Sequence, residues 1–85
     1  MLTFLEDQLF KAKFEIVDET LNWVRYSRIT EAENGDAIER LVSIEREQKV
    51  AEVSDWEVAG YFLTGERYNL RSRPEIQNAI LAIIA

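Results

Sequence analysis

Neither cysteine nor histidine occurs in the chain. Their absence removes disulfides, thiolate chemistry, Ser-His and Cys-His nucleophile pairs and the usual zinc ligands together. Carboxylates, Lys, Tyr and Ser remain for catalysis, and the acids are interleaved with bases, as in Glu45-Arg46-Glu47, in the manner of solvated surface patterning. There is no glycine-rich phosphate loop: Gly35, Gly60 and Gly65 stand alone and read as a hairpin turn, a packing position and a helix cap. A non-enzymatic role with no cofactor and no metal is expected.

No run of about 18 apolar residues is present, and the first 20 residues carry acids without the basic start and apolar core of a signal peptide. A cytoplasmic protein with no membrane contact is the expectation. Sixteen acidic against ten basic residues give a net charge of −6, which disfavours direct binding to nucleic acid. With 47% hydrophobic and 31% charged residues, the 85-residue chain has the composition of one small folding domain, 1–85.

What organises the chain is Glu33-Asn34-Gly35-Asp36, between the β-prone runs Leu21–Thr30 and Ala37–Ile44. Asn-Gly is a strong hairpin signal because a type I′ turn needs positive φ at both central residues. Upstream, Thr3-Phe4-Leu5-Glu6 has capping-box form, and Leu2, Leu5 and Leu9 share one helical face, which predicts a short N-terminal helix. Phe10, Ala12, Phe14 and Ile16 then alternate with charged residues, predicting a first strand over Phe10–Ile16. Two hairpins follow from these segments, and the third strand begins at Ala37. Residues 36–53 also admit a helix, because Asp36-Ala37-Ile38-Glu39 resembles a helix start and Glu45–Lys49 are helix formers.

Ser54-Asp55-Trp56-Glu57 repeats the capping pattern ahead of a densely apolar stretch, Trp56–Leu63, that ends at Thr64-Gly65. It predicts a helix buried on several sides, with Trp56 in the core. Ser72-Arg73-Pro74-Glu75 opens a final helix with Pro at an early position, and Ile76, Ala79, Ile80 and Ile83 form its stripe. The fold class is therefore α+β: a three-stranded antiparallel meander with two C-terminal helices packed on one face. The alternative is a mainly α chain with residues 36–53 helical.

Two places carry candidate function. Arg67, Arg71 and Arg73, with Tyr68 between them and a helix start after them, form a candidate anion-binding loop, since guanidinium groups hold phosphate or carboxylate bidentately. Leu81 and Ile84 widen the apolar face of the final helix beyond Ile80, which makes that face a candidate interface. Trp56 and the final helix do not form a DNA-reading helix-turn-helix, because their connection is long and the second helix offers only Gln77 and Asn78. The first functional expectation is a protein–protein interaction module, most simply homo-oligomeric. An acidic mimic that occupies the basic site of a nucleic-acid-binding partner is the alternative, and an anion-binding regulatory domain is a third.

Overall fold

A computed structural model describes residues 2–31 and 33–85. Helix α1 (Leu2–Lys11) leads into five strands, β1 (Glu15–Glu19), β2 (Trp23–Glu31), β3 (Ala37–Glu45), β4 (Val50–Glu57) and β5 (Phe62–Asn69), and helix α2 (Arg73–Ile84) follows. The strands form one antiparallel sheet in chain order, β1-β2-β3-β4-β5. The α+β class holds, but the meander has five strands instead of three. One helix precedes it and one follows, so the two helices are not both C-terminal.

Local chemistry accounts for each element. In α1 the Leu5/Leu9 spacing puts both leucines fully out of solvent, with Leu2 packed beside them. The helical phase continues to Lys11 and ends where Lys13 takes a left-handed φ of 72°. The alternation from Phe10 is therefore not a strand: Phe10 is on the last turn of the helix and the first strand starts only at Glu15. At the β2–β3 hairpin Glu31 pairs with Ala37, Gly35 takes φ 86°, and the Asp36 amide donates to Asn34 Oδ1 at 3.0 Å. Among the described residues only Gly35 is left-handed there, so the connection is a longer loop and not a two-residue type I′ turn.

The helical alternative for residues 36–53 is overturned. Ala37–Glu45 pairs with β2 along nine positions, and Arg46–Lys49 is the next turn, with Lys49 at φ 56°. The predicted Trp56–Leu63 helix is overturned as well. Its first two residues end β4, Val58–Tyr61 make a turn closed by the Glu57 amide to Tyr61 O at 2.8 Å, and Phe62 starts β5. Gly65 is a strand residue and not a helix cap. At α2, Ser72 is the N-cap expected: its Oγ accepts from the Glu75 amide at 3.4 Å and donates to Glu75 Oε1 at 3.0 Å.

Both helices lie on one face of the sheet. Val24, Tyr26, Val42, Ile44, Ala51 and Val53 alternate along β2–β4 toward Leu5, Leu9, Ile76, Ala79, Ile80 and Ile83, and Phe14 and Leu70 close the ends of the core. Truncating Leu9, Ile44 or Ile83 to Ala costs about 2–5 kcal/mol, the range for a buried aliphatic side chain whose cavity cannot collapse. No helix among the described residues is long and apolar enough to cross a membrane.

Candidate functional site

Strand register fixes which side chains share the face that no helix covers. Successive cross-strand partners form rows running across the sheet. Asp18, Arg25, Ser43, Glu52 and Arg67 make one row, and Glu15, Ser27, Leu41, Ser54 and Gly65 make the next. Ile29, Glu39, Trp56 and Phe62 make a third. Directly opposite residues in an antiparallel pair point to the same side, so all three rows face outward together.

The middle row is low because it consists largely of small residues. It forms the floor of a shallow groove of about 560 Å³, with Trp56 and Phe62 on one wall and Arg25, Glu52 and Arg67 on the other. The aromatic wall is ordered: the Trp56 and Phe62 rings meet edge to face at 5.2 Å, and Trp56 Nε1 donates to Ser54 Oγ at 2.9 Å. Gly65 makes room for this arrangement, since a Cβ there would come within 3.2 Å of the Phe62 ring. The charged wall is ordered too. Arg25 stacks over the Trp23 ring at 5.3 Å and donates from Nε to Ser43 Oγ at 3.1 Å, while Arg67 Nη1 lies 3.5 Å from a Glu52 carboxylate oxygen. Phe62 is 57% exposed and Ile29 60%.

The helix-covered face also carries a polar row, Arg28, Arg40, Asp55 and Thr64, whose groups are mostly taken up by one another, by α2 and by the segment after α1. Arg40 pairs with both oxygens of Asp55 and reaches the last turn of α2, donating from Nη1 to Ile83 O at 2.7 Å and Ala82 O at 3.1 Å. Arg40 thereby holds Asp55 below the usual carboxylate range, chiefly by its hydrogen bonds. The Arg28 guanidinium lies over the Phe14 ring at 4.5 Å and donates to Ala12 O. Burial is the main reason its pKa is lowered. At the other end Tyr26 donates its hydroxyl to Glu6 Oε1 at 2.7 Å, and Arg46 bridges Glu6 and Glu19. These contacts tie helices to sheet.

The three arginines of the candidate anion-binding loop are divided between the layers. Arg67 stands on the open face of β5, while Arg73 begins α2 and lines a separate cleft of about 370 Å³ with Phe4 and Ile76. The Arg71 amide donates to the Glu75 carboxylate, so part of this helix start is already filled by the chain's own acid. Of the candidate interface on α2, Ile80 is buried in the core, Ile84 packs against it, and Leu81 is 68% exposed. Acidic side chains stand on both faces, Glu52 on the open side and Asp55 on the covered side of the same strand.

Trp56, expected in the core, stands at the groove. Leu41, Ser54, Arg25 and Glu52 carry no signal of their own; the apolar alternation Ala51, Val53, cut short at Asp55, is the one hint that Glu52, Ser54 and Trp56 share the opposite face. No protein-family model, curated protein or solved structure matches the chain significantly.

Proposed function

We propose that the chain is a non-enzymatic protein–protein interaction module whose docking surface is the open face of the sheet. The observation that carries this reading is the asymmetry of the two faces. One is covered by α1 and α2 over β2–β4, and the other leaves Leu41 on the floor and Trp56, Phe62 and Ile29 beside it without a cover. Antiparallel sheets tolerate one wet face when it is polar; this one mixes aromatic and aliphatic groups with ordered charges, the composition of an interface core and rim. Tryptophan and arginine, the residue types that most often dominate binding energy, are both on it.

Homo-oligomerisation is the simplest form of this function, because a second copy is the partner present at the same concentration. A partner of another kind would use the same surface. The test is a photo-crosslinking residue placed at position 41 or at position 81 and illuminated in cells that make the chain. Protein adducts formed from 41 and not from 81 are the expected result. Adducts from 81 alone would move the docking surface to α2 and overturn the reading.

A further inference from the structure

Resting on the reading of the open face as the docking surface, we infer that its occupant is a second copy of the chain, packed face to face about a two-fold axis running along β3. The charge order of the rows is what specifies this partner. Across the sheet, the first row reads Asp18, Arg25, Ser43, Glu52, Arg67: negative, positive, neutral, negative, positive. Because β3 is the middle strand, a two-fold axis parallel to it lays β2 over β4 of the second copy and β1 over β5.

The consequence is that every charge in that row meets its opposite. Arg25 faces Glu52 of the second copy, Glu52 faces its Arg25, and Asp18 and Arg67 face each other in the same reciprocal way, while Ser43 meets Ser43. The same operation also matches uncharged groups of the other two rows. Leu41 meets Leu41 on the axis, Ser27 meets Ser54, and the exposed Ile29 meets Trp56. An isologous contact requires such self-complementarity, and a surface that served an unrelated partner would have no reason to show it.

Size and geometry agree. Five strands about 4.8 Å apart and from 5 to 9 residues long present roughly 500 Å² in plan, before the relief of the side chains is added. That approaches the roughly 800 Å² per partner of a standard interface. Aligned sheets pack about 10 Å apart at about −30°, so the axis lies about 15° from β3 and shifts facing groups by only a few ångström at β2 and β4, within reach of an arginine and a glutamate. Two features oppose the pairing: Glu39 and Glu45 of β3 meet their own copies near the axis. Glu39 is drawn sideways by Ser27 Oγ, which donates to it at 2.7 Å, and Glu45 lies at the strand end.

The test uses two single variants, Arg25→Glu and Glu52→Arg, with folding checked by circular dichroism and mass measured by sedimentation. Each variant alone places like charges opposite each other twice, and its dimer dissociation constant should rise by about a hundredfold or more. Mixed in equal amounts, the two should form a heterodimer, because both pairs are then of opposite charge, one with its native sign and one inverted. Folded variants that remain monomeric when mixed, or a wild-type chain that is a monomer at every concentration, would overturn the second copy as the occupant. Crosslinks from position 41 to a different protein in that case would leave the open-face reading standing.

Discussion

Arg40 grips Asp55 with two parallel hydrogen bonds, Nε to Oδ1 at 2.7 Å and Nη2 to Oδ2 at 2.8 Å, across the pair β3–β4 beneath α2. The same guanidinium closes the C-terminal end of α2 through the carbonyls of Ala82 and Ile83. One side chain thus joins two strands and a helix. Replacing Arg40 by Met leaves Asp55 half-buried without its partner and the α2 carbonyls without a donor, at a cost of about 2–4 kcal/mol. Arg40→Lys should recover less than half of that, since an ammonium cannot serve both carboxylate oxygens and the helix end. Urea unfolding of the two variants measures both.

The same pair predicts acid sensitivity. Asp55 titrates below its ordinary value when folded, first because Arg40 hydrogen-bonds its charged form. Unfolding returns it to about pH 4, so the unfolded chain binds a proton there that the folded chain refuses. The contribution is complete above that pH and is lost as pH falls through the lower folded value. Asp55→Asn should be less stable than the parent at pH 6, and the gap should narrow as pH falls below about 4, followed by urea midpoints at each pH.

Tyr26 makes the opposite prediction at high pH. Burial first, and then the hydrogen bond to the Glu6 carboxylate, push its phenol far above the ordinary range. The raised value means that stability is complete below about pH 10 and falls as pH rises beyond it, where only the unfolded chain ionises. Tyr26→Phe should cost about 1–2 kcal/mol at pH 7 by losing the bond to Glu6, and should flatten the alkaline decline.

Gly65 separates the groove from the fold. Its backbone is ordinary extended strand, so Gly65→Ala carries no φ strain, and stability should change by no more than about 0.5 kcal/mol. The added methyl meets the Phe62 ring and displaces it, which should open the edge contact with Trp56 and change the tryptophan emission. Self-association should weaken, while the unfolding midpoint measured at dilutions where both chains are monomeric should hold.

How far these features could be read from the chain depends on which force set them. The Asn34-Gly35 hairpin and the Ser72 cap of α2 are local chemistry, and both are where the residues place them. Trp56–Leu63 misleads because Ser54-Asp55-Trp56-Glu57 has the form of a helix start and the apolar residues after it are consecutive, leaving no period to read. Asp55 adds to the ambiguity: a charge on the helix-covered face breaks the alternation that would mark β4, and only Arg40, fifteen residues earlier, explains it. Phe10–Ile16 alternates by coincidence, two elements meeting at Lys13. The groove was illegible for a different reason. Its rows exist only once four strand pairings are in register, and register is a long-range property that no single segment carries.

The most direct test of the whole account is absolute mass by light scattering over a dilution series, for the parent chain, Leu41→Glu and Leu81→Glu. The parent should have twice the 9.9 kDa mass of one chain, Leu41→Glu should fall to a single chain, and Leu81→Glu should behave as the parent. A parent that is monomeric throughout, or a dimer broken by Leu81→Glu and untouched by Leu41→Glu, would contradict it.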